Sequence, residues 1–99
     1  MDKPLFIALK SEHYAKFEDG TKDNEIRLYG PRWNEKTCYA GRKVTLSKGY
    51  GKKYRLKGVI TAFKRQKGYE LEDCHQQAIL KLYGTLEKDI ARIYIKVER

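Results

Sequence analysis

The sequence predicts an α+β domain: a small curled sheet or barrel of five or six strands with two short helices. Three observations predict it. Five segments alternate apolar and polar residues with the period of a strand, and two carry apolar residues three and four apart. Strands and helices also do not follow the β-α-β rhythm of a parallel sheet. Residues 1–99 read as one domain, with no linker, repeat or low-complexity tract.

Taken in order, residues 4–10 form a strand with Leu5, Ile7 and Leu9 on one face. Ser11 is placed to cap a helix over 12–18, where Tyr14 and Phe17 make an apolar pair and Gly20 ends the helix. A strand over 23–29 sets Ile26 and Leu28 against Glu25, Arg27 and Tyr29. Gly30-Pro31 breaks it, and an irregular stretch runs to Gly41. Residues 42–47 form a short strand with Val44 and Leu46 inward, and residues 48–53 a glycine-rich basic turn. The strand over 54–65 puts Leu56, Ile60 and Ala62 opposite Val59, Thr61 and Phe63, with a bulge or bend expected at Gly58. Leu71, Cys74, Ala78, Ile79 and Leu82 give a helix over 70–82 its apolar stripe, ended by Gly84. The last strand, 90–97, points Ala91, Ile93, Ile95 and Val97 inward and Arg92, Tyr94 and Lys96 outward.

No apolar run approaches the roughly eighteen residues of a membrane span. The start, Met1-Asp2-Lys3-Pro4, carries no signal-peptide pattern, so a cytoplasmic setting is expected. Cys38 and Cys74 lack metal-ligand spacing and are expected as free thiols, with Cys74 in the core. His13 and His75 are expected on helix surfaces or boundaries. No cofactor or metal is expected, and a monomer is favoured.

The formal net charge of +9 is localised. Residues 36–69 hold eleven of the 22 basic residues and no acidic one, leaving eleven basic residues against all 13 acidic ones elsewhere. Tyr39, Tyr50, Tyr54 and Tyr69 punctuate that stretch. Cations interleaved with aromatics suit phosphates and stacked bases. The segment has no helical apolar face of the kind that binds membranes.

The segment Gly20-Thr21-Lys22-Asp23-Asn24-Glu25-Ile26-Arg27 stands out, because Glu25 and Arg27 share the face opposite Ile26. That face meets either water or a cleft, and in a cleft the two charges need each other or a ligand. The pattern Gly-x-Lys-x-x-Glu-x-Arg resembles the signature of ASCH domains, a group within the PUA-like fold. The lead-in Leu9 to Gly20, the strand after Gly41 and the Leu82-Tyr83-Gly84 turn are similar to that family too, so the likeness covers most of the chain. The run Arg27 to Glu35 is similar to small phage-associated members.

The resemblance implies a PUA-like β-barrel with a cleft beside the signature, suited to single-stranded RNA, a nucleotide or a modified nucleoside. Lys22, Glu25 and Arg27 are the matched positions. Family members include RNA-binding modules, an RNA-cleaving activity and amidohydrolases that deacetylate acetylcytidine. The last resemble this chain at Lys22, carry threonine where it has Glu25, and use a further glutamate for which Glu70 or Glu72 stands here.

Three functions follow as expectations. In the first, the chain binds RNA or a nucleotide: Lys48, Lys52, Lys53 and Arg55 meet phosphates, Tyr50 or Trp33 stacks on a base, and Arg27, Tyr29 and Arg32 complete the surface. Trp33, in its Pro-Arg-Trp-Asn loop, is equally suited to anchoring the packing. In the second, it is a metal-independent hydrolase, a ribonuclease or amidohydrolase, in which Lys22 stabilises negative charge or acts as nucleophile or base and a glutamate moves the proton. In the third, it is a phage protein-interaction factor.

Overall fold

A computed structural model describes residues 3–98; Met1 and Asp2, where the reading of the leader begins, lie outside the described residues. The elements run β1 Leu5–Leu9, α1 Ser11–Asp19, β2 Asn24–Leu28, β3 Lys43–Lys48, β4 Arg55–Lys67, a 3-10 turn Gly68–Glu70, α2 Asp73–Tyr83 and β5 Asp89–Val97. The fold is α+β: five strands form one mixed sheet in the order β1-β3-β4-β5-β2. β1 pairs parallel with β3, and the other neighbours are antiparallel. The sheet curls into a half-barrel. Its two outer strands come close enough for Arg27 of β2 to donate from Nη2 to the Ala8 carbonyl of β1, 2.7 Å away. Among the described residues, no helix is long and apolar enough to cross a membrane.

The concave face carries the main core. Ile7, Val44, Leu46, Ile60 and Ile93 share it with Tyr14 and Phe17 of α1, which packs against β1 and β3. A second, smaller core lies on the other face, where Leu71 and Ile79 of the α2 region cover Ile26, Leu28 and Ile90. β5 is therefore buried on both faces from Ile90 to Ile93, and β2 is partly covered on both. Arg92, expected outward, is 8% exposed for that reason.

Three local expectations are corrected. Lys10, not Ser11, takes the N-cap position of α1, and no side chain caps it. The helix expected over 70–82 breaks in two: Leu71 and Glu72 are extended, so the phase counted from Leu71 does not carry into α2. Ile79 is buried, whereas Cys74, Ala78 and Leu82 are exposed. In β4 the irregularity falls between Ile60 and Ala62, not at Gly58. An extra residue reverses the facing of everything after it, so Phe63 packs on the main core beside Ile60 and Ala62 is exposed. Gly58 instead permits close approach: a Cβ there would lie 2.8 Å from the Lys96 carbonyl oxygen.

Candidate functional site

The signature residues converge because the chain turns sharply before β2. Gly20 ends α1 at a φ of 87°, a conformation that favours glycine. The backbone N–H of Lys22 then donates back to the Lys16 carbonyl. This tucks the Lys22 side chain under the helix it has just left. Two residues later β2 begins, and its alternation points Glu25 and Arg27 toward the concave side, level with Ile93 and Ala91 of β5.

The Glu25 carboxylate organises the group. Its Oε1 accepts from Lys22 Nζ at 3.0 Å, and its Oε2 accepts from Arg27 Nε at 3.0 Å. Glu25 is only 7% exposed. An isolated carboxylate there would be expensive, and two cations offset the cost. Arg27 also spans to β1 through Ala8, so one side chain neutralises Glu25 and ties the sheet edges together.

Lys22 has a further partner that the sequence did not announce. Its Nζ lies 3.1 Å from Nδ1 of His13 on α1. An ammonium only donates, so this ring nitrogen accepts and the ring proton is assigned to Nε2. Burial, followed by the Lys22 charge, holds His13 below its usual 6.5. His13, Lys22, Glu25 and Arg27 thus form one continuous line of hydrogen bonds.

Beside this line is a cleft of about 850 Å³, whose walls include Phe17, Tyr94 and Ile95 and carry two cations, Lys22 and Lys96, and two carboxylates, Asp23 and Glu98. Lys22 reaches it, while Glu25 and Arg27 do not line it. At the other end of the line, the Arg27 and Arg32 guanidinium groups lie 5.0 Å and 4.9 Å from the Trp33 ring centroid, in cation–π range. Trp33 packs on the main core. Its loop is fixed by Asn34, which donates to the Gly30 carbonyl and accepts from the N–H groups of Lys36 and Thr37. Tyr29 donates to Glu35 at 2.5 Å and carries the Arg65 guanidinium 4.0 Å from its ring centroid.

The two further glutamates separate. Glu70 accepts from the Lys67 N–H and closes the 3-10 turn. Glu72 accepts from Arg92 at 3.0 Å, and Arg92 donates in turn to the Asn24 side chain at the start of β2. The Arg92 hydrogen bond holds Glu72 below its usual 4.5. His75 stands 4.0 Å from Glu72 and is lowered chiefly by burial. Arg92 escaped the sequence reading because it sits on a strand where alternation alone suggested an outward side chain.

The basic hairpin between β3 and β4 forms its own surface. Lys48 and Lys53 lie 4.9 Å and 5.3 Å from the Tyr54 ring centroid, and Arg55 lies 5.2 Å from that of Phe6. Tyr50 is 82% exposed beside Phe6. Ser47 anchors the turn by donating to the Gly51 carbonyl. The hairpin is a structural neighbour of the signature: Ala8, which accepts from Arg27, is level with Ser47, and Ser47 with Arg55.

Among the described residues, no three His, Cys, Asp or Glu side chains gather as metal ligands. No family model matches the chain, and no curated protein matches it in sequence.

Proposed function

We propose that this chain is an RNA-binding domain of the ASCH type within the PUA-like fold, in which the basic hairpin grips phosphates and the cleft at Lys22 takes a nucleotide unit. The observation that carries the reading is the line His13–Lys22–Glu25–Arg27, which meets a cleft at Lys22 and adjoins a surface of cations laid on aromatic rings. Within the line a buried carboxylate offsets one of two cations, and at the cleft wall Lys22 and Lys96 stand with Asp23 and Glu98. Lys22 and Lys96 are the groups there that would meet a phosphate, and the hairpin supplies the long-range attraction. The hairpin supplies aromatic faces for stacking and cations for the backbone, as single-strand binders do. Trp33 is engaged with Arg27, Arg32 and the core, so Tyr50 is the favoured stacking residue.

The test is binding of labelled single-stranded RNA to the wild type, Lys22→Ala and the double variant Lys52→Glu/Lys53→Glu. The double variant is expected to lose most of its affinity and Lys22→Ala part of it. Equal affinity in all three would sink the proposal.

One observation favours a hydrolase as the second reading. Lys22 lies between a neutral imidazole and a carboxylate at the cleft wall, an arrangement able to stabilise developing negative charge and relay a proton. Incubation with labelled RNA and with acetylated cytidine tests it. Turnover of either substrate that disappears in Lys22→Ala supports the hydrolase, and absence of turnover of both removes it.

A further inference from the structure

We propose that His13 gates the Lys22 site by protonation: the neutral ring holds the lysine against Glu25, and the protonated ring releases it to an anion in the cleft. This deepens the RNA-binding reading and rests on it for the nature of the anion, a phosphodiester. The argument begins with hydrogen-bond capacity. Lys22 Nζ has donors only, so its 3.1 Å contact with Nδ1 requires a lone pair on that nitrogen. A ring protonated at both nitrogens has none, and the contact becomes one cation facing another.

Glu25 cannot absorb the extra charge. Its two oxygens already accept from Lys22 and Arg27, and its single negative charge faces their two positive ones. Protonation of His13 would raise the net charge of the group from one positive to two. Of the two partners, Lys22 has the longer reach, because its four-carbon stem is flexible and the residue already lines the cleft. His13 is the more exposed side chain, 41% against 17% for Lys22, and Glu12 stands 4.0 Å from its Nε2 to hold the protonated ring in place. The released ammonium turns toward the cleft, where Asp23 and Glu98 compete with an anion for it and Lys96 adds a second cation.

Burial chiefly opposes the proton on this ring, and the other charges facing it are divided. Glu12, on the same helix, lies 4.0 Å from Nε2 and favours the proton, as does Glu25 from β2. Lys16 on α1 and Lys22 oppose it. His75 on α2 also feels Lys22, so it is the group to separate from His13 experimentally. Binding and protonation are reciprocal: an anion in the cleft stabilises the protonated ring as much as the protonated ring tightens the anion.

Oligouridylate is a suitable probe, because its phosphodiesters keep a constant charge while His13 titrates. Its affinity is measured at fixed ionic strength from about pH 8 to about pH 5. Wild-type affinity is expected to rise on the order of tenfold, within the usual range of coupling between sites. His13→Gln and Lys22→Met should each flatten that rise, and His75→Gln should keep it. A ring titration followed by NMR gives a second measure: in Lys22→Met the midpoint of His13 should move up. A pH profile unchanged by His13→Gln, or a His13 midpoint unmoved by Lys22→Met, would overturn the gate while leaving RNA binding intact. Failure of oligouridylate to bind at any pH would overturn the RNA reading and the gate together.

Discussion

Glu25 is the residue on which the site depends. It is buried, accepts from two cations and has no spare oxygen. Glu25→Gln keeps the shape but leaves Lys22 and Arg27 uncompensated. Breaking a buried pair in this way costs about 3–5 kcal/mol, and the lower end is expected because Lys22 and Arg27 keep side-chain exposures of 17% and 28%. Urea denaturation would check it, and a loss below about 1 kcal/mol, the scale of a surface ion pair, would contradict the account. Sequence alternation put Glu25 and Arg27 on one face, and the resemblance to the ASCH signature joined Lys22 to them. It left open whether that face met water or a cleft. His13 was not legible as a partner, because its contact with Lys22 depends on the left-handed turn at Gly20, which folds the chain back under α1.

At the scale of elements, strand alternation carried far where one register ran unbroken. β1 and β3 bury Leu5, Ile7, Leu9, Val44 and Leu46, as the period of two requires. It failed where an extra residue intervened. The irregularity between Ile60 and Ala62 reversed the second half of β4, and no residue at that point signals it. The only glycine within β4 misled in the opposite sense. Gly58 is needed for the approach of β5: a Cβ there would meet the Lys96 carbonyl oxygen at 2.8 Å and Ile95 Cγ2 at 3.1 Å. Gly58→Ala is therefore expected to cost about 1–3 kcal/mol through overpacking. The urea midpoint should fall with little change in slope, since the same surface is exposed on unfolding. The helical stripe counted from Leu71 failed for a similar reason, because two extended residues separate it from α2.

For the whole molecule, pH and salt probe different charges. His13 and His75 both titrate below their usual 6.5 in the folded chain, so the unfolded chain binds the protons more readily. Stability is then fully present above about pH 6.5 and declines as pH falls through the folded values. Thermal midpoints should drop between about pH 7 and about pH 5, and less so in His13→Gln. Salt reports on the basic segment instead. Lys43 faces Glu98, and Arg65 and Lys67 share Asp89, so those cations are neutralised within the fold. Lys48, Lys52, Lys53 and Arg55 have no carboxylate partner among the described residues, and all four lie on or beside the β3–β4 turn. Each phosphate contact on a single strand contributes about −0.7 to the slope of log affinity against log salt, so four contacts give about −3. Lys52→Glu/Lys53→Glu should reduce the magnitude of that slope by about half, whereas Lys22→Met should change it by less than about one. A slope near zero would move the grip away from the hairpin. A slope that responds equally to both variants would make hairpin and cleft one surface, where the proposal assigns them separate tasks.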